Sequence, residues 1–394
     1  MPRRSVVDPR FPARLRELRT AAGMSLRDLE AAAHLSRSTI SELENAKTKP
    51  EVDTAAALDK ALQTGGELVQ MITETTRTEP WETAELLGRV RASKVPTATV
   101  EALHVTAFEL CCTYGWQDAE QLRGEGLRWL HEVERLLRRP VGLRLHQELL
   151  TVAGWLALLV GCVEYDLGMR PAAEATRVAA LQLATEGGSN EIAAWAWEMS
   201  AWFALTQGRY REVLVAAGAG QAVVGDHTAA VQLVAQEAKA RARMGDAAGV
   251  RAALERGHRL LDRFPPPDRP DHHYVVDPDK WDFYAMDAYR LVGEDELAKH
   301  HAREVLRLGA AADGTEKAPM RMAEARLTLG AVAARAGELE QAVEVAVGAF
   351  QARRRSLPQL LMVAWEVAAE LGRRDPKGRS TAEFGEAIRS VSAG

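Results

Sequence analysis

Cysteine is scarce in this chain: Cys111, Cys112 and Cys162 are the only three among 394 residues. None belongs to a C-x-x-C pair, so neither a zinc site nor a disulfide framework has the spacing it needs. The three read as core thiols of a reducing compartment. No apolar run approaches the roughly 18 residues of a membrane span, and the start MPRRSVVDPR lacks an apolar signal core, so the expectation is a soluble, cytoplasmic protein without a membrane partner. Aromatics make up only 6% of the residues, and β-branched alternation is rare while Ala is abundant, which favours an all-α fold. An excess of positive charge is missing as well: 50 Lys and Arg face 55 Asp and Glu, a formal net charge of −5. That balance excludes a polycation coating nucleic acid non-specifically. Enzyme signatures are also missing: G-x-S-x-G, the P-loop, H-E-x-x-H and a G-x-G-x-x-G after a strand. The glycines of AAGAGQAVVG sit in an Ala-rich helical context. Catalysis, a resident cofactor and a bound metal are therefore not expected.

The length allows two or three domains, and the charge is unevenly spread. Residues 1–63 hold 11 Lys and Arg against 9 Asp and Glu, while the remainder holds 39 against 46. A mildly basic head thus precedes an acidic body, which places any DNA contact at the N-terminus. Within the head the organising stretch is Leu35–Pro50, LSRSTISELENAKTKP. Ser36 can cap a helix start, because the first backbone N–H groups of a helix lack partners. Leu35, Ile40 and Leu43 share an inward face, leaving Arg37, Ser38, Ser41 and Glu42 on the open side. Lys47 and Lys49 follow before Pro50 ends the segment. Polar side chains at a helix start, with cations just past its end, suit a major groove: the first can reach base edges while the second meet phosphate.

The neighbouring pattern completes a domain. Phe11, Leu15 and Leu18 mark one helix closed by Gly23, and Ser25 with Asp28 forms a capping box for a second helix carrying Leu26 and Leu29. Ala31–Ala33 provide small residues for a close helix crossing. Asp53 is expected to cap a fourth helix, and residues 67–75 to form a fifth after Gly65–Gly66. Arg3 and Arg4 form a basic arm that either lies along DNA or simply frays. GMSLRDLEAAAHLSRSTISELENAKTKPEVDTAAALDKAL resembles the DNA-binding domain of phage repressors and of the xenobiotic-response-element (Cro/C1-type) regulators, over about residues 11–72. The resemblance implies base-edge contacts from Arg37, Ser38 and Glu42, and phosphate contacts from Arg19, Asn45, Lys47 and Lys49. Where the family often has a phosphate-binding Gln, this chain has Leu26, and the neighbouring Arg27 takes that role. The competing reading of Arg37 and Glu42 is a solvent-facing ion pair.

Residues 1–75 are thus expected to be a five-helix helix-turn-helix domain, and 76–97 a semi-rigid linker with a helix over 81–92. Residues 98–394 carry a repeat. Gly recurs at 115, 168, 208, 245, 293, 337 and 372, with spacings of 40, 37, 48 and 44 between the middle five. Small residues accompany it, with Ala173, Ala298 and Ala342 five after, and Gly161, Ala201, Ala238 and Gly330 seven before. A period near 40 with helix–Gly–helix units indicates an α-solenoid, and the units resemble stretched tetratricopeptide repeats. One insertion, FPPPDRPDHHYVVDPDK at 264–280, breaks the rhythm. His272 and His273 with Asp271, Asp277 and Asp279 lack ligand spacing there, so it reads as a lid or plain connection rather than a metal site.

The resemblance to stacked repeats implies that the first helix of each unit lines a concave face. Counting back from each Gly assigns Trp155 and Tyr165, then Trp195, Glu198 and Trp202, then Gln232, Lys239 and Arg243, then Phe283, Asp287 and Arg290 to an effector site. Two Trp flanking a carboxylate suit a groove for a peptide or small organic molecule; alternatively the Trp side chains fill gaps between repeats. Head and body together are similar to bacterial regulators that sense a secreted peptide. Those clamp the peptide backbone with Asn, whereas this chain has only Asn45 and Asn190. Expected from all this is a homodimeric transcriptional regulator on an inverted-repeat operator, with a peptide or small-molecule effector. The alternative is a protein-interaction scaffold tethered to DNA.

Overall fold

The computed structural model describes residues 5–74, 93–276 and 278–393, and the chain divides into two compact units, Met1–Gly88 and Arg89–Gly394. Arg3, Arg4, Asp277 and the helix expected over 81–92 lie outside the described residues.

In the first unit the helices are α1 (Phe11–Ala21), α2 (Leu26–Ala33), α3 (Arg37–Glu44), α4 (Val52–Leu62) and α5 (Glu67–Gln70). The start of α2 is a capping box. Asp28 N donates to Ser25 Oγ over 3.2 Å, and Ser25 N donates to Asp28 Oδ2 over 2.8 Å. Ser36 Oγ accepts from Thr39 N over 3.1 Å and so starts α3. Phe11, Leu15, Leu29, Ala33, Ile40, Leu43, Leu58 and Leu68 close one core over all five helices. Of the three alanines at 31–33 only Ala33 is buried. Two expectations change. Glu51, not Asp53, stands at the N-cap of α4, without a side-chain bond, and Asp53 falls in the first turn. The fifth helix is a single turn. The chain then runs into β2 (Ile72–Glu74), antiparallel to β1 (Ser5–Val7), with Val7 opposite Ile72. Asp59 on α4 fixes that turn: its carboxylate accepts from the Leu68 and Val69 N–H groups, both over 2.8 Å, satisfying donors that a one-turn helix cannot.

The second unit is helical throughout its long elements: α6 (Thr97–Thr113), α7 (Ala119–Leu137), α8 (Leu143–Asp166), α9 (Arg170–Gly187), α10 (Asn190–Thr206), α11 (Tyr210–Val223), α12 (Ala229–Arg243), α13 (Ala247–Leu261), α14 (Pro278–Val292), α15 (Asp295–Gly309), α16 (Pro319–Ala336), α17 (Leu339–Val347), α18 (Leu357–Arg374) and α19 (Arg379–Ala393). Gly168, Gly208, Gly245, Gly293 and Gly337 each join two antiparallel neighbours at positive φ, the conformation a Cβ disfavours. The outer two glycines differ. Gly115 lies in a turn without positive φ, and Gly372 lies inside α18. The small-residue offsets locate the close approaches. A Cβ on Gly161 would come 3.5 Å from Ala173 O, and one on Gly330 would come 2.9 Å from Ala342 O. By length and composition α8 could cross a membrane, yet 78% of its apolar window is buried inside this unit, where it is the central core helix.

Two features turn the array into a closed body. The insertion folds inward: His272, Tyr274 and Val276 are buried, His273 N donates to Cys111 O over 3.1 Å, and Tyr274 Oη donates to Cys162 Sγ over 3.4 Å. At the other end α18 packs back on α8 and α10. Arg354, just before α18, donates to Asp166 over 2.6 Å, and Trp202 Nε1 donates to Gln359 Oε1 over 3.2 Å.

Candidate functional site

In the first unit the candidate site is the open side of α3. Arg37, Ser38 and Glu42 are exposed, Ser41 is half-buried, and Lys47 and Lys49 are exposed just beyond the helix. Leu26, Glu30, Ser36, Arg37, Ser38 and Ser41 border a shallow groove there. Glu30 accepts from the Arg37 backbone N–H over 2.9 Å, which fixes the start of α3 against α2 and leaves the Arg37 guanidinium without a partner among the described residues. Glu42 accepts from Thr48 Oγ1 through Oε2 over 3.0 Å, so the helix and the Lys47–Lys49 loop are tied together. Arg37 and Glu42 make no ion pair with each other. Arg27 is exposed on α2.

Two residues expected at phosphate make hydrogen bonds within the domain. Arg19 grips Glu44 with Nε at 2.6 Å and Nη2 at 3.0 Å, and its Nη1 donates to Met24 O over 2.9 Å. Glu44 is buried at the end of α3, so a bidentate Arg is what balances its charge. Asn45 caps the same helix end, donating to Ser41 O over 2.7 Å and accepting from Arg16 over 2.9 Å. Both side chains thus fasten the end of α3, Arg19 from α1 and Asn45 from the helix end itself. A sequence pattern could not pair Arg19 with Glu44, because the two lie on different helices 25 residues apart.

In the second unit the candidate site is a chamber of about 210 Å3. Of the expected effector residues, Trp195, Glu198, Trp202, Gln232, Lys239 and Phe283 line it. They come from α10, α12 and α14, the first helices of three successive pairs. Glu198 accepts from Gln232 over 3.0 Å and from Gln236 over 2.6 Å. Burial, the largest influence, raises its carboxyl above the ordinary carboxylate range. On α16, Glu324 accepts from Gln359 over 3.0 Å, and burial pushes it up to about 7.

The other expected effector residues do not line the chamber. Tyr165 is fully buried, stacked 3.8 Å from Phe203, with its hydroxyl donating to Phe203 O over 3.1 Å. Trp155 packs on Tyr274 of the insertion, centroids 5.4 Å apart. Arg243, Asp287 and Arg290 form a buried ion network with Glu366 of α18. Arg243 Nη1 lies 2.9 Å from Asp287 Oδ2, and Arg290 Nη2 lies 2.5 Å from both Asp287 Oδ1 and Glu366 Oε2. Burial opposes the charge on Asp287, but the two guanidiniums overcome it and hold that carboxyl well below the usual range. These three therefore brace the array against α18. The first helices thus supply both chamber walls and residues that the insertion or the α18 layer covers.

Sequence reasoning missed the walls that come from elsewhere. Tyr114 and Trp116 enter from the end of α6, His273 from the insertion, Lys317 and Arg321 from the start of α16, and Gln359 from α18. His272 and His273 stack on different aromatic rings, Phe108 at 4.5 Å and Tyr114 at 3.7 Å, and no group of three metal-ligating side chains comes together among the described residues.

No curated protein matches the chain. Residues 10–71 match a family model described as a helix-turn-helix domain, so the first unit carries that domain.

Proposed function

We propose that this protein is a sequence-specific DNA-binding transcriptional regulator of the cytoplasm, without catalytic activity, that binds an inverted-repeat operator as a homodimer. The observation that carries the reading is the exposed Arg37 and Ser38 at the start of α3, with Lys47 and Lys49 just beyond its end, inside a matched helix-turn-helix domain. Arg37 reads a base edge, Glu42 and Ser38 read its neighbours, and Arg27, Lys47 and Lys49 hold phosphate. The second unit, a helix-pair array of the tetratricopeptide kind, is the sensor and dimerisation body. Its chamber combines aromatic walls with a few polar groups, as ligand sites do. By the scale of an engineered cavity of about 150 Å3 that accepts benzene, this one holds a small molecule rather than an extended peptide.

The test is DNA footprinting of the tagged protein in its own cell beside an Arg37→Ala strain. A short inverted repeat, with half-sites about one DNA turn or a multiple apart, is expected. Arg37→Ala should relax the preference at one base pair per half-site, at a cost of about 1–3 kcal/mol. Footprints that are absent, or identical in the two strains, would refute the base-reading role.

A further inference from the structure

One ammonium in the chamber has no ion-pair partner among the described residues. Lys239 is only 4% exposed, and its Nζ lies 4.6 Å from the ring centroid of Phe283 and 5.5 Å from that of Tyr284. That ammonium makes no hydrogen bond or ion pair with a described residue. Aromatic contact offsets part of its desolvation, but a buried cation is stable only with a counter-charge. Glu198, Glu324 and Asp287 feel its charge through space, but none forms an ion pair with it. Glu198 is held by two glutamine amides and Glu324 by a third. Arg321, lining the same space, also has no ion-pair partner among the described residues.

The aromatic walls could otherwise favour a cationic ligand. Here the chain's own ammonium already lies over Phe283 and Tyr284, so a second cation beside it would meet repulsion. Two further atoms ask for partners. Trp195 Nε1, a donor, and Gln236 Oε1, an acceptor, are buried without one, and both residues line the chamber.

We propose that the chamber binds a small organic acid, its carboxylate at Lys239 and on the Arg321 side, and its flat apolar body against Trp195 and Trp202. This rests on the sensor reading above and gives the effector a charge, a size and an orientation. The Trp195 indole N–H is placed for an acceptor on that body, and the Gln236 carbonyl for a donor.

The test uses the full chain with benzoate, indole-3-acetate and hexanoate, each beside its neutral amide and its amine analogue, by calorimetry and tryptophan fluorescence. At least one acid should bind, its amide about tenfold more weakly, as expected for losing a charge-assisted hydrogen bond, and its amine not at all. Lys239→Met should abolish the preference for acid over amide. Arg321→Ala, at a half-buried position that tolerates truncation, should weaken the acid about tenfold and leave the amide unchanged, and it decides the matter if Lys239→Met does not fold. Amides or amines binding as tightly as acids would overturn the charge assignment while leaving a sensor chamber in place. Binding by none of the nine would overturn the proposal too. Operator binding, measured on the same samples, reports separately whether the regulator reading fails.

Discussion

Glu324 shows how burial sets a charge state at one residue. It is buried beside the chamber, and burial lifts its carboxyl to about 7 while Lys239 opposes the shift. A carboxyl whose folded pKa lies above its unfolded value takes up a proton on folding. The associated stability is fully present below about pH 4.5 and is lost as pH rises through about 7. Glu198, also raised by burial, contributes with the same sign. Thermal melts of the wild type should therefore fall between pH 5 and pH 8. Glu324→Gln keeps an acceptor for Gln359 and should flatten that slope, gaining about 2 kcal/mol at pH 8 and little at pH 5. A variant melting in parallel with the wild type across this range would contradict the buried, proton-retaining carboxyl. At the same scale, Arg37 and Arg19 show why residue type alone misleads. Both are arginines of the same domain, but the guanidinium of Arg37 has no partner among the described residues and that of Arg19 is locked onto a buried carboxylate.

Helix pairs depend on where a side chain is missing. Gly330 on α16 has the Ala342 carbonyl and the Ala346 Cβ each 2.9 Å from where its own Cβ would stand. Gly218 on α11 is exposed, with nothing within 4 Å of that point. The same substitution should thus have opposite signs. Gly330→Ala forces α16 and α17 apart and should cost about 1–3 kcal/mol. Gly218→Ala removes only the entropic penalty of a helical glycine and should gain about 0.5–1 kcal/mol. Urea unfolding of the two single variants checks both, and equal shifts would mean that helix propensity, not close packing, governs Gly330. In the first unit, the one-turn α5 is likewise an outcome of a distant group. Asp59 captures its amides from α4, and the β-branched Ile72–Thr73 then leave the helix as strand.

In the second unit an ion pair ties α8 to the segment before α18. Asp166 is fully buried and accepts from Tyr114 over 2.7 Å and from Arg354 over 2.6 Å, the latter 188 residues away. Burial raises its pKa above the ordinary range, and Arg354 works against that rise. Arg354→Ala leaves a buried carboxylate half-satisfied and should cost about 3–5 kcal/mol, with faster hydrogen exchange in α18. Pairing it with Asp166→Leu should recover part of the loss, because the uncompensated charge is gone. If the double variant were no more stable than Arg354→Ala, the tie would be serving something other than charge balance. The chamber depends on this closure, since Gln359 and the α18 face complete its wall.

What the sequence by itself determined is local. Caps at Ser25 and Ser36, the apolar spacing of α1–α4, the glycines between helix pairs and their small-residue offsets act within a turn or two, so periodicity and residue type specify them. The inner positions Trp195, Glu198, Trp202, Gln232 and Lys239 follow from the same counting, because helices stacked in order present the same face. What only the tertiary structure decided is which distant groups meet: Arg19 with Glu44, Arg243 and Arg290 with Asp287 and Glu366, the insertion against α6, and α18 against α8. Ion pairing and burial depend on distance in space, and a linear pattern holds no record of which buried charge finds which partner.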